Sequence, residues 1–230
     1  PTAVPTACGW DEALLFDIGA ALGREARAEG VGLLLGPGAN LKRGPLCGRN
    51  FEYFSEDPLL TGRLAAAFIR GVQSEGVGAC LKHFACNNQE YKRFSSNSVL
   101  DSRTLRELYL RGFELAVREG RPAAVMCAYN AVNGEHCSDS RELLTDILRG
   151  DWGFEGAVVT DWGATSDRIK GFKAGCDLMM PGGSRYMERD CLRALKRGEL
   201  RRGELEACAA RVAALAEKYA AHARALAKTA

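Results

Sequence analysis

Short apolar runs that alternate with longer amphipathic stretches predict an α/β fold, built as a barrel or as a doubly wound sheet. Three observations carry the expectation. Five runs, at 31–37, 78–84, 123–129, 156–162 and 176–182, are apolar almost without interruption, as strands buried on both faces of a parallel sheet should be. Helix-compatible stretches lie between or beside them, near 11–29, 57–74, 101–119, 140–150 and 164–174. Finally, Lys82-His83, Tyr129-Asn130, Asp161-Trp162 and Asp177 are expected at the carboxyl ends of strands, the face on which barrel active sites are assembled.

The element boundaries follow from local chemistry. Asp57-Pro58 marks a helix start with proline in the first helical position. Asp101, followed by Thr104 and Glu107, marks another. The "PGGSR" at 181–185 closes the last strand, and two helices follow. The second repeats at 3-4 spacing through Leu205, Cys208, Val212, Leu215, Tyr219, His222 and Leu226. That pattern suits a helix docked on a barrel or a following domain, and also a coiled-coil seam.

Composition excludes several classes. The 230 residues carry 31 Lys plus Arg against 29 Asp plus Glu, a net charge of +2. Such a balance gives no electrostatic reason to expect a nucleic acid or a membrane surface as partner. No apolar run reaches the roughly 18 residues of a membrane-spanning helix. The opening "PTAVPTACGWDE" lacks the basic start and apolar centre of a secretory signal, and does not resemble a natural start either.

Nine cysteines with no C-x-x-C pair favour reduced thiols and a cytoplasmic setting over a disulfide framework. Cys80, Cys86, Cys127 and Cys176 lie in or beside apolar runs, where a free thiol behaves as a small hydrophobe. His83, His136 and His222 form no H-x-x-x-H pair and no Cys/His cluster, so neither a metal nor another cofactor is expected. "GPGAN" at 36–40 lacks the G-K-[ST] ending of a phosphate loop and reads as a strand-to-loop turn.

The candidate site centres on "GAVVTDWGAT", 156–165, where an apolar run delivers one carboxylate, Asp161, ahead of Trp162 and Gly163. An aspartate before Trp-Gly is, by itself, an ordinary turn residue. Its neighbours in the chain's motifs change that reading. "GPGANLKRGPLCGRNFEYFSEDP" (36–58), "LKHFACNNQEYKR" (81–93) and "VMCAYNAVNG" (125–134) leading to "GFEGAVVTDWGAT" (153–165) together resemble the first domain of glycoside hydrolase family 3, β-glucosidase type. The similarity runs from about residue 10 into the "GELRRGELEACAARVAAL" helix.

The resemblance implies a (β/α)8 TIM-barrel-like domain and a nucleophile at Asp161, where "TDW" stands for the commoner "SDW". It implies sugar-binding roles for Arg49, Lys82, His83, Arg93 and Tyr129, and places Trp162 at the entrance to the sugar subsite. These residue types suit the chemistry. A retaining glycosidase needs a rigidly held, ionised carboxylate facing the anomeric carbon. Cations such as Lys82 or Arg49 are expected beside it, and Lys82, His83, Arg49 and Arg93 supply donors for a ring of hydroxyls. Tyr129 can place a hydroxyl near the nucleophile, and Trp162 a flat apolar face against the sugar's C–H surface. Competing expectations are ion pairs of Arg49 with Glu52 and of Arg93 with Glu90, core positions for Tyr129 and Trp162, and a Schiff-base role for Lys82. Asp177 is expected to cap or pair structurally.

Two departures from the family pattern shape the functional expectation. The chain opens on a stretch like the family's second helix, so the domain is expected to lack its first strands. It ends where a second α/β domain, bearing the acid/base glutamate in many members, would begin. Residues 84–100 hold no histidine, which disfavours the subgroup that removes N-acetylglucosamine. Residues 1–185 are therefore expected to form a partial barrel, and 186–230 helices that close it or lead to a missing domain. The expected activity is retaining hydrolysis of terminal β-D-glucosides or short oligosaccharides through Asp161, in a fragment lacking its acid/base, with Glu52 and Glu90 as conceivable substitutes. The alternative is a catalytically silent carbohydrate-binding or interaction domain. Open sheet edges suggest self-association or a covering partner.

Overall fold

The computed structural model describes residues 2–219. Its frame is a four-stranded parallel sheet in the order β1 (Leu33–Leu34), β2 (Gly78–Phe84), β4 (Ala124–Cys127) and β7 (Ala157–Thr160). A small sheet of β3 (Asn97–Ser98), β5 (Ala131–Val132) and β6 (Glu135–His136) lies on the loops above it. Helices precede each main strand. After α1 (Ala3–Ala7), α2 (Glu12–Ala28) leads to β1 and α3 (Pro58–Ser74) to β2. The stretch 102–120 contains α4 (Ser102–Thr104) and α5 (Arg111–Leu115), each followed by a wider π turn, and leads to β4. The π-helical segment Glu142–Asp151 leads to β7.

Period-two alternation decides which strand residues face which way. Leu81, Val125 and Val158 join the large outer core with Leu64, Ile69, Phe113 and Ile147. Phe84 packs edge-to-face on Phe113 and Trp152, centroids 5.4 and 5.7 Å apart. Their neighbours Cys80, Ala124, Met126 and Val159 form a smaller inner cluster covered by Leu33, Met180 and Leu215. Both faces of the central strands are thus buried, which is why their sequence is continuously apolar. Glycines let the outer layer close. A Cβ on Gly71 would lie 2.1 Å from the Phe16 carbonyl oxygen, and one on Gly19 2.4 Å from that of Phe68, so α2 and α3 approach backbone to backbone.

The helix starts are as expected. Asp57 accepts from Leu60 N at 2.7 Å with Pro58 at the first position, and Asp101 accepts from Thr104 N at 2.9 Å. Strands β4 and β7 each keep four residues of their apolar runs, and two other expected strands shrink further. Only Leu33–Leu34 of 31–37 is regular strand: a Gly36 N to Leu34 O bond of 3.0 Å interrupts it, and contact with β2 resumes where Lys82 N donates to Pro37 O at 3.0 Å. The run at 176–182 is reduced to a single bridge, Val159 to Leu178. Asp177 also differs from expectation, since its partner Val158 lies in the first half of β7, away from the carboxyl end.

The chain then enters α6 (Arg168–Ala174), which precedes the bridge, and afterwards α7 (Arg185–Arg197) and α8 (Arg202–Tyr219). Helix α8 is docked on the sheet: Leu215 packs on the inner cluster, Cys208 is buried, and Arg211 reaches Asp177. His222 and Leu226 of its expected seam lie outside the described residues. All nine cysteines are free thiols, and burial pushes those of Cys80 and Cys137 up to about 12. Among the described residues, no helix is long and apolar enough to cross a membrane.

Candidate active site

Asp161 follows directly on the last residue of β7, and its amide donates to Cys127 O on the neighbouring strand at 3.2 Å. The carboxylate is therefore fixed at the carboxyl end of the sheet. Oδ1 accepts from the Trp162 amide at 2.7 Å. Oδ2 has only longer contacts, 3.3 Å to an Arg49 nitrogen and 3.4 Å to His83 Nε2. At 13 % exposure the side chain is sheltered yet still open to solvent.

Arg49 arrives from the long loop after β1, just before the 3-10 turn Asn50–Glu52. Its guanidinium spans three partners: Glu52 through Nε, His83 Nε2 at 2.7 Å and Asp161 at 3.3 Å. Burial by itself would lower its pKa, but Tyr53, Glu52 and Asp161 outweigh that and raise it. Lys82 turns to Glu52 Oε2 at 3.1 Å, where the sequence suggested proximity to Asp161. The Arg49–Glu52 pair forms as one of the alternatives foresaw, and it forms within the site.

His83 sits at a register shift in β2, between Lys82 and Phe84. Asn40 clamps its backbone from both sides, accepting from His83 N and donating to His83 O, each at 2.8 Å. The ring is fully buried, with Nδ1 3.1 Å from the Tyr53 hydroxyl. Burial, reinforced by Arg49, Lys82 and Arg93, pushes the imidazole pKa well down. The "GPGAN" turn serves this assembly: Gly38 bridges to both Tyr53 and Lys82, and a Cβ there would meet the Tyr53 ring at 2.8 Å.

Arg93 stands further out. It pairs with Glu90 at 2.9 Å, as the competing expectation had it, and stacks over Tyr129 at 4.3 Å and Phe94 at 5.4 Å. Tyr129 is buried and donates to Trp162 O at 2.9 Å, with its phenol pKa raised by burial and by Asp161. Trp162 is 65 % exposed, so it is no core residue. Arg49, His83 and Asp161 are in direct contact, Lys82 joins through Glu52, and Arg93 and Tyr129 form a stacked flank. Sequence reasoning missed Tyr53 and Asn40. Their links to His83 span 30 and 43 positions, and no local pattern announces them. No group of three or more His, Cys, Asp or Glu among the described residues is arranged to hold a metal ion.

Comparison with known proteins gives the family of the chain. Residues 1–215 match the family model described as the glycosyl hydrolase family 3 N terminal domain. The chain is 56% identical over 200 residues to thermostable beta-glucosidase B of Acetivibrio thermocellus, covering 87% of this chain and 26% of that protein. It is 44% identical over 206 residues to an exo-alpha-(1->6)-L-arabinopyranosidase of Bifidobacterium breve, covering 90% and 27%. Among solved structures, beta-glucosidase 3B of Thermotoga neapolitana in complex with alpha-D-glucose superposes with a TM-score of 0.93 at 44% identity, covering 96% of this chain and 32% of that one. The chain therefore spans about a quarter of the length of these curated relatives. A family match across nearly all of a parallel β/α sheet establishes that the chain belongs to glycoside hydrolase family 3, in its N-terminal, TIM-barrel-like domain.

Proposed function

We propose that this chain carries the nucleophile and the glycone-binding half of a retaining β-glucosidase. The observation behind the reading is Asp161 Oδ2, a carboxylate oxygen at the carboxyl end of the sheet with no donor closer than 3.3 Å. In the first step Oδ2 attacks the anomeric carbon, the bond from that carbon to the leaving oxygen breaks, and a glycosyl ester forms. In the second, water attacks the same carbon, the ester bond breaks, and a base takes the water's proton. Arg49 aligns the carboxylate, braced by His83, whose ring nitrogens face Tyr53 and Arg49; Lys82 and Arg93 hold sugar hydroxyls, and Trp162 presents its exposed face.

The proton donor is proposed to come from outside these residues. Glu52 accepts from Arg49 and Lys82 on its two oxygens, and Glu90 accepts from Arg93 and Asn87 on its own. Both are arranged as acceptors. Acid–base assistance contributes about 10²–10⁴-fold, so a dinitrophenyl β-D-glucoside should react readily with the chain while cellobiose reacts slower by about that factor. Azide, which needs no base, should speed release and yield the β-glucosyl azide. An azide product of inverted configuration would overturn the retaining mechanism. Because one relative is an arabinopyranosidase, the matching α-L-arabinopyranoside should be assayed beside the glucoside.

A further inference from the structure

Arg49, His83 and Tyr53 form a line that ends on the nucleophile, and hydrogen-bond chemistry assigns its protons. A guanidinium has donors only. With an Arg49 nitrogen 2.7 Å from His83 Nε2, that ring nitrogen has to offer a lone pair, since two N–H groups cannot point at each other at this distance. A neutral imidazole then carries its proton on Nδ1, whose partner is the Tyr53 oxygen at 3.1 Å. Tyr53 is itself fully buried and receives the Asn87 amide at 3.3 Å. The charged and titratable groups facing this ring are Arg49, Asp161 and Tyr53, with Lys82 and Arg93 nearby.

We infer that Tyr53 is a positioning residue: Arg49 fixes His83 as the Nδ1–H tautomer, and the Tyr53 oxygen, accepting from Nδ1, holds the ring at the angle that keeps Nε2 on Arg49 and Arg49 against Asp161. The assignment means that His83 never donates a proton from Nε2, either to Asp161 or to a leaving group. Its bond through Nδ1 instead sets the angle of the ring, and through it the angle of the guanidinium. The consequence for rate rests on Asp161 being the nucleophile; the tautomer does not.

The test is therefore made in two parts on the full chain. In ¹⁵N-labelled protein, with the His83 signals identified by their loss in His83→Gln, long-range ¹H–¹⁵N spectra should show a protonated Nδ1 and an unprotonated Nε2. Tyr53→Phe removes the acceptor of Nδ1–H and should leave the tautomer unchanged while shifting and broadening the Nδ1 signal, because the ring loses the partner that sets its angle. The same variant should lower the rate constant for covalent capture of a 2-deoxy-2-fluoroglucoside by about ten- to a hundredfold, as slight misplacement of a reacting group does, with little change in the reagent's half-saturation concentration. A protonated Nε2 in the unmodified chain would overturn the assignment, and a capture rate unmoved in Tyr53→Phe would overturn the positioning role. Should the unmodified chain capture no sugar at all, the nucleophile reading fails. The spectra still decide the tautomer.

Discussion

Two aspartates bracket strand β7, and they are treated in opposite ways. Asp177, at the start of the strand, has a fully buried side chain and four short donor contacts: Val158 N at 2.7 Å, Arg149 at 2.9 Å, and Arg211 at 2.9 and 2.7 Å. Every direction from which a reactant could approach is occupied. Asp161, past the far end, has one short contact and two long ones, and keeps a solvent-facing side. A carboxylate is structural when its lone pairs are saturated and reactive when one is left over. The difference between the two ends teaches that the fold spends its donors on Asp177 and withholds them from Asp161.

The largest effect on stability should come from the saturated end. Asp177→Asn leaves Arg149 and Arg211 without their counter-charge, and a broken buried pair typically costs about 3–5 kcal/mol. Urea unfolding of the variant should show this loss. A cost under about 1 kcal/mol, the size of an exposed pair, would mean that the site is far wetter than its burial suggests.

His83 supplies the next largest effect, through pH. Its pKa in the folded chain is pushed well below the ordinary imidazole range by burial. The unfolded chain takes up a proton as pH falls through about 6.5, while the folded chain does not. Stability conferred by keeping this ring neutral is thus complete above that value and declines below it, by about 1.4 kcal/mol per pH unit. The difference in unfolding free energy between the unmodified chain and His83→Gln should fall by roughly 1 kcal/mol from pH about 7 to about 5.5, and approach that slope only below about pH 5.5. A difference independent of pH would show that the ring titrates normally.

Two smaller substitutions sharpen the contrast among aspartates. Asp57 caps α3 through one bond to Leu60 N, so Asp57→Ala should cost about 1 kcal/mol in the same measurement. Asp161→Asn should change stability least, within about 0.5 kcal/mol, because Arg49 keeps its pairing with Glu52. A large loss in Asp161→Asn would place that residue with Asp177 as a structural group.

Much of this contrast was legible in the sequence, and the reasons for the rest are physical. The strand that delivers Asp161 was visible because β7 is buried on both faces and its residues are uniformly apolar. The run at 176–182 looked equally good and is only a bridge. There the Asp177 carboxylate, instead of a backbone carbonyl, accepts from Val158 N, Met180 N turns to the Thr160 hydroxyl, and Pro181 has no N–H to offer. Side chains flank the few backbone bonds that remain, Asp177 N and Leu178 N to Val158 O and Thr160 N to Leu178 O, and alternation of apolar residues does not reveal that. The candidate site residues were named from motifs, yet their positions relative to each other were not. Lys82 lies against Glu52, and the anchor of His83 is Tyr53, a residue whose "NFEYF" context gives no hint of a partner in the next strand.

The proposed nucleophilic role of Asp161 is tested most directly by covalent capture. A 2-deoxy-2-fluoro-β-D-glucoside with a dinitrophenolate leaving group, incubated with the chain and followed by peptide mapping, should add one sugar to the peptide containing Asp161. No adduct should form in Asp161→Asn, while Asp161 should still be captured in a folded Asp57→Ala control. An adduct on a peptide without Asp161, or a chain left unlabelled at saturating reagent, would contradict the account.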